Sequence, residues 1–148
     1  MQNGWENIHQ ITNNFEATPL HLAIFCISLK PATLDMIINQ TKNGCNPKKA
    51  KHVGVDLNAV DKDGHSILHY ALLGKRSDLK LVQHLVFHGA DMHIKDKENR
   101  SSADICRLLG LTEHYNFLST LGCQTSKMED ENESRITLFD KLFRLFQN

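Results

Sequence analysis

A hexapeptide recurs along this chain, and its spacing limits the folds that the chain can adopt. Thr-Pro-Leu-His-Leu-Ala at 18–23 returns as Ser-Ile-Leu-His-Tyr-Ala at 66–71 and, more weakly, as Ser-Ser-Ala-Asp-Ile-Cys at 101–106. The copies begin at residues 18, 66 and 101, so they are 48 and then 35 residues apart. A period of about 20–50 residues is typical of proteins in which similar units stack side by side. The sequence therefore predicts three such units, with an insertion of about 15 residues in the first.

Each unit carries the signals of two helices. Thr18 is a favourable N-cap, and Pro19 suits the first helical position because a proline loses no hydrogen bond there. A second apolar run follows each hexapeptide, and in the second unit Leu81, Val82 and Leu85 have the spacing of a buried helix face. Segments with turn composition separate the units, at 61–64 and 96–99.

These elements resemble the ankyrin-repeat family. The shared features are the Thr-Pro-Leu-His-x-Ala hexapeptide, Gly-Ala-Asp at 89–91, and Asp-x-x-Gly at 61–64 before the next hexapeptide. The resemblance covers about residues 13–122. It implies an all-α fold, a solenoid of stacked antiparallel helix pairs with projecting β-turns, called fingers. The repeats it implies lie at about 18–60, 61–95 and 96–122, and the first holds a basic inserted loop at 42–53.

Two features predict how the ends of the stack are closed. Residues 1–17 form a predicted capping helix whose apolar side chains are spaced by three or four, at Trp5, Ile8, Ile11 and Phe15. The third repeat has Asp104 in the place of the histidine. Such a polar change is typical of a terminal repeat that faces water.

The C-terminal segment changes character after the repeats. Residues 123–134 are acidic and poor in apolar side chains, which predicts a flexible linker. Apolar residues at helical spacing in 135–148 predict an amphipathic helix of about three turns. Because an isolated helix of that length is marginal in water, it has to dock. The candidates are the last repeat, a partner protein or second copy, and, least favoured, a membrane surface.

The resemblance implies a non-enzymatic protein–protein interaction module that binds another protein through its concave face and fingers. By register, the contact positions of the second repeat are Val60, Lys62, Asp63, His65 and Leu73. Those of the third repeat are Lys95, Lys97, Glu98, Arg100 and Leu108. Basic side chains outnumber acidic ones on this finger face, which predicts a partner with an acidic surface. The alternative is that these are ordinary solvated charges.

Asn58 occupies a position of special interest. By resemblance, it corresponds to the finger asparagine that an oxygen-dependent asparaginyl hydroxylase modifies in many ankyrin proteins, and His93 takes the equivalent place in the next repeat. The structural alternative is a turn asparagine that bridges the hairpin backbone, and this alternative is favoured.

The sequence predicts no catalytic residue, no cofactor and no metal site. His65/His69 and His84/His88 have the i, i+4 spacing that places two imidazoles on one helix face. However, resemblance gives His69 a structural hydrogen bond between repeats, and the second pair has no evident third ligand. No phosphate-binding loop or nucleophile motif is found. The scattered cysteines are predicted to be free thiols: Cys26, Cys45, Cys106 and Cys123.

Charge and hydropathy narrow the remaining classes. Lys and Arg number 17, as do Asp and Glu, so the zero net charge does not favour nucleic acid as a partner. No signal peptide or apolar span is visible, which predicts a cytoplasmic protein, with the nucleus and delivery into a host cell as alternatives. Two further functions stay open: a viral or bacterial inhibitor of a Rel-type transcription factor or host-directed adaptor, and a membrane-tethered adaptor that uses the C-terminal helix.

Overall fold

A computed structural model describes residues 16–27, 30–43, 56–74, 77–126 and 131–147. Over these ranges the chain forms seven α-helices and no β-strand, which confirms the all-α class. The helices are α1 (Pro19–Ile27), α2 (Pro31–Asn43), α3 (Ile67–Leu73), α4 (Leu79–Phe87), α5 (Ser102–Leu109), α6 (Thr112–Thr120) and α7 (Glu131–Gln147). The predicted helix before residue 16 and the inserted loop from residue 44 lie outside the described residues.

The helices pack in two rows. Helix α3 contacts α1 on one side and α5 on the other, and α4 lies in the same way between α2 and α6. Contacts between α3 and α4, and between α5 and α6, join the rows. The apolar face of α3 is fully buried at Leu68 and Tyr70, and α4 adds Leu81 and Leu85. Burial of these side chains drives the packing, at about 1.5–3 kcal/mol for each large apolar group.

The hexapeptide histidines tie each repeat to the next. The Nδ1 of His69 lies 2.8 Å from the Oγ of Ser66, the N-cap residue of α3. Its Nε2 donates to the backbone carbonyl of Arg100, at 3.1 Å, because a carbonyl can only accept. His21 makes the same link to the carbonyl of Ala59, at 3.0 Å. The structural hydrogen bond that the resemblance implies for His69 is therefore present.

Buried His69 makes stability depend on pH. Burial lowers the pKa of His69 from 6.5 to about 4, so the unfolded chain binds a proton at pH 5 that the folded chain does not. The free energy of unfolding should therefore fall by about 3 kcal/mol between pH 6.5 and pH 4 because of this group. Urea unfolding at half-unit steps of pH measures the slope.

The control for this prediction is a side chain that does not titrate. His69→Gln should reduce the slope by up to about 1.4 kcal/mol per pH unit, the value for one proton. An unchanged slope would contradict the assignment.

Asp96 makes stability depend on pH in a more acidic range. Its pKa is lowered from 3.8 to about 2, so the stability that its charge contributes is lost as the pH falls from 3.8 to about 2.

The polar position Asp104 of the third repeat does not face water, contrary to expectation. Asp104 is fully buried and accepts hydrogen bonds from the backbone N–H of Ser101 and Ser126, both at 2.9 Å. Cys123 is also buried and donates to the carbonyl of Met92, at 3.2 Å. The expectation was wrong because Asp104 keeps the capping role of the histidine and binds the chain that follows α6.

The predicted flexible linker is shorter than expected within the described residues. Residues 123–126 lie against the third repeat, and α7 begins at Glu131 rather than at residue 135. At 17 residues, α7 is longer than the predicted three turns. Its acidic first turn is part of the helix because carboxylates near a helix N-terminus are favourable.

Candidate functional site

The fingers of the second and third repeats share one turn chemistry. The Asp61 carboxylate accepts hydrogen bonds from the backbone N–H of Asp63 and His65, both at 2.9 Å. Asp96 accepts in the same way from Glu98 and Arg100, also at 2.9 Å. An aspartate that bonds backbone two and four residues onward fixes a tight turn.

The two fingers lie in direct contact. The backbone N–H of Lys97 donates to the carbonyl of Asp63, at 2.9 Å. Gly64 lies between the fingers with φ of 81°, and a Cβ there would come within 3.1 Å of the Asp96 Cα. A glycine is therefore required at this position both for its backbone conformation and for the approach of the next finger.

Helix α7 contacts both fingers and places a lysine against the finger of the second repeat. The Lys141 ammonium donates to the carboxylates of Asp61 and of Asp63, the latter at 3.1 Å. It also lies 2.6 Å from the Nδ1 of His65. Lys141 is only 7% exposed, which is tolerable because two carboxylates and an imidazole surround its charge.

Arg100 connects the third finger to the first half of α7. Its Nε donates to Asp96 at 2.7 Å, and its Nη1 donates to the carbonyl of Ser134 at 2.8 Å and to the hydroxyl of Thr137 at 3.1 Å. Thr137 in turn lies 2.7 Å from a Glu98 carboxylate oxygen. Together with Lys141, Arg100 holds α7 on the finger face.

The cluster under α7 is strongly coupled. Burial raises the pKa of Asp61, but hydrogen bonds with His65, Lys141 and Tyr70 outweigh burial and hold it well below its usual range. Burial lowers the pKa of His65, but the Asp61 and Asp96 carboxylates outweigh burial and raise it above its ordinary value. The buried acids therefore stay ionised and keep their attraction for Lys141 and Arg100.

A cleft of about 340 Å³ opens between the fingers and one edge of α7. Its walls include Asp63 and Asp96, whose charges are balanced by Lys141 and Arg100. Its lining also has five exposed charged side chains: the basic Lys62, Lys97 and Arg144 and the acidic Glu98 and Asp140.

The structure places the sequence-predicted contact residues in two groups. Those that are exposed or partly exposed are Val60, Lys62, Asp63, Lys95, Lys97 and Glu98. Those that are buried are His65, Leu73, Arg100 and Leu108. In the second group the two apolar residues pack in the core and the two polar ones contact α7, so these four are not accessible to a partner while α7 is docked.

Asn58 has the contacts of a turn asparagine. Its side-chain oxygen accepts from the backbone N–H of Asp91 at 2.7 Å, and its own N–H donates to Asp56 at 2.8 Å. It thus joins the turn of one repeat to the turn of the next. These bonds agree with the structural alternative, and hydroxylation of Asn58 stays a prediction.

The row formed by α2, α4 and α6, which we call the outer row, holds a second group of titratable side chains. His84 of α4 and His88, which caps the C-terminus of α4, both lie against Asp35 of α2. The sequence argument found no third partner for this histidine pair, and Asp35 is that partner. It was missed because it lies 49 residues from His84 and on another helix. Asp35 could have been found from the repeat register. Helices α2 and α4 are the second helices of successive repeats, so the register places them side by side.

The family comparison agrees with this architecture. Residues 63–97 match the family model of the ankyrin repeat. These residues form an ankyrin repeat, the family that the hexapeptides of the chain resemble. The matched segment runs from the second finger through α3 and α4 to the third finger, and it includes the His69 link. No curated protein matches the chain.

The ankyrin repeat is a non-enzymatic interaction fold that binds other proteins. Nothing in the described helices combines the length and apolar character needed to cross a membrane. The matched repeat suggests a protein–protein interaction module.

Proposed function

We propose that this chain binds an acidic, amphipathic segment of a partner protein at the finger rim and the outward face of α7. The observation that carries the proposal is the charge at the cleft. Three exposed basic side chains around it outnumber two exposed acidic ones: Lys62, Lys97 and Arg144 against Glu98 and Asp140. Asp63 and Asp96 of the cleft are already paired with Lys141 and Arg100. Such a rim attracts carboxylates and steers an acidic partner toward the cleft.

Helix α7 supplies the apolar part of the surface. Ile136, Phe139 and Phe143 are 62%, 52% and 63% exposed and are spaced by three and four residues. At 100° per residue they share the side of α7 opposite Lys141. Three large apolar side chains exposed on one stripe of a helix are typical of an interaction site. A partner with both acidic and apolar side chains matches the two features together.

The partner docks with α7 in place rather than by displacing it. Lys141 and Arg100 hold α7 through buried hydrogen bonds to both fingers, so release of α7 would uncover Asp61 and Asp96. A displacing segment would have to supply cations of its own, which contradicts the attraction of the basic rim for an acidic segment.

Charge reversal at the rim tests this proposal. Lys62→Glu, Lys97→Glu and Arg144→Glu together should weaken partner binding about 10- to 100-fold, since exposed ion pairs contribute up to about 1 kcal/mol each. The free energy of unfolding should change by less than about 0.5 kcal/mol per substitution. Partners are captured from a eukaryotic cell lysate with the wild-type chain, and their affinities for both chains are then measured with purified proteins.

The matched control makes the same charge change away from the cleft. Lys30, Lys80 and Arg107 are also exposed and lie outside both the cleft and α7, so their reversal to glutamate should leave binding intact. A partner that binds the rim variant as tightly as the wild type contradicts the proposal. An inhibitor of a Rel-type transcription factor, or a host-directed adaptor, is a specific form of it that capture identifies directly.

A membrane-tethered adaptor is the second candidate, favoured by the exposed apolar stripe on α7. A helix face of this kind can lie in the headgroup region of a bilayer. Flotation of the full chain with phosphatidylcholine–phosphatidylserine vesicles tests it. A chain that does not float eliminates this candidate, and a chain that floats unless Ile136, Phe139 and Phe143 are changed to serine supports it.

A further inference from the structure

The outer helices bring two imidazoles and a carboxylate together. The His88 Nε2 lies 2.6 Å from Asp35 Oδ1, and the His84 Nδ1 lies 3.3 Å from the same oxygen. One ligand atom from each side chain lies within 4.8 Å of the other two. Two histidines one turn apart, with a third group from a neighbouring element, form a common ligand set for a transition metal.

We propose that Asp35, His84 and His88 bind a zinc ion that links α2 to α4. The inference is independent of the proposed partner-binding face, which lies on the fingers and α7. Two nitrogens and one carboxylate oxygen suit zinc, whereas calcium and magnesium prefer oxygen ligands alone.

The distances are close to those that zinc requires. Ligands bound at about 2.0–2.2 Å in a tetrahedron lie about 3.4 Å from one another. The separation of His84 and Asp35 already agrees with this value. His88 and Asp35 have to separate by roughly 0.8 Å, because a hydrogen bond now joins them. When zinc binds, the hydrogen-bonded proton leaves this contact and the two lone pairs turn to the metal.

The three side chains are accessible enough for an ion to enter. Those of Asp35, His84 and His88 are 35%, 40% and 23% exposed. Water can therefore fill the fourth coordination position, as in zinc sites with three protein ligands.

A comparison with the finger cluster shows why this group is the candidate. Asp61, Asp63 and His65 also place three ligand atoms together. There, however, the Lys141 ammonium already occupies the position that a cation would take. The groups that contact Asp35 are two imidazoles rather than an ammonium group, and an imidazole can itself bind a metal.

Zinc at this site would strengthen the first repeat in particular. Helix α2 belongs to the first repeat, and α4 belongs to the matched ankyrin repeat. An ion bound by α2 and α4 adds a second link between successive repeats. The first is the His21 hydrogen bond, which starts from α1 in the other row. A ligand present at about 100 times its Kd should raise the melting temperature of a chain of this size by about 5–10 °C.

The test is zinc binding to the full chain by isothermal titration calorimetry. We expect one equivalent to bind with a Kd in the micromolar range. Asp35→Asn and His88→Gln should each weaken this binding at least about 10-fold, the loss typical of a removed contact of about 1.4 kcal/mol or more. Cobalt substitution should give the visible absorption of a tetrahedral site in the wild type and not in the variants.

His93→Gln is the matched control, because His93 is an exposed histidine outside the group. It should bind zinc as the wild type does. Circular dichroism checks that each variant is folded. If His88→Gln does not fold, the near-isosteric Asp35→Asn still tests the proposal. Zinc binding that is unchanged in both variants, or absent from the wild type at about 100 μM zinc, overturns the proposal.

Discussion

Leu68→Asp is expected to unfold the ankyrin repeats. Leu68 is fully buried in α3, which packs against both α1 and α5. An unpaired carboxylate there costs several kcal/mol, against a total stability of about 5–15 kcal/mol for a typical domain. Circular dichroism should show loss of helical signal, or a melting temperature lowered by at least about 15 °C.

The control for Leu68 is an apolar residue of the same repeat that is not buried. Phe87, at the end of α4, is 79% exposed. Phe87→Asp should therefore change the free energy of unfolding by less than about 0.5 kcal/mol. If the two variants melted at similar temperatures, the assignment of core and surface in this repeat would be wrong.

The second large effect is expected from Lys141→Glu. This substitution replaces the attraction between α7 and the finger carboxylates with repulsion. The new carboxylate would face Asp61 and Asp63 in a buried position. Breaking a buried ion pair on one side costs about 3–5 kcal/mol, enough to release α7 from the fingers. The released helix is marginal alone, so helical content should fall and limited proteolysis should cut within residues 131–147.

Arg144→Glu is the matched control for this prediction. It makes the same charge change on the same helix, but Arg144 is exposed at the cleft rim. Its variant should resist proteolysis as the wild type does. Equal proteolysis of the Lys141 and Arg144 variants would mean that net charge, rather than the buried contact, controls α7.

The repeats could be predicted from sequence because their signals are local. The caps at Ser66 and Ser101 stand directly before helices, and the turn aspartates Asp61 and Asp96 bond backbone within four residues. The role of His69 followed from its place in the hexapeptide. The cap and turn interactions are set by short-range sequence, so a pattern in one chain reveals them. The His69 link joins residues 31 apart, and it was predicted from the family resemblance.

The site depends on contacts that no local pattern encodes. Lys141 lies 80 residues from Asp61 in the chain, and nothing near either residue indicates that they pair. The amphipathic pattern of α7 showed that it has to dock, but its apolar stripe is partly exposed and its polar Lys141 is buried. The burial of Arg100 could not be predicted for the same reason, since the groups it bonds, at Ser134 and Thr137, lie on α7.

The central claim is that α7 lies on the finger face of the ankyrin repeats and forms part of the binding surface. Hydrogen exchange of the full chain, followed by mass spectrometry of peptides from 131–147, tests it most directly. Docking predicts exchange at least about 100-fold slower than in a free peptide of the same sequence, which corresponds to an opening free energy of about 2.7 kcal/mol. Exchange of α7 at the rate of the free peptide would contradict the account.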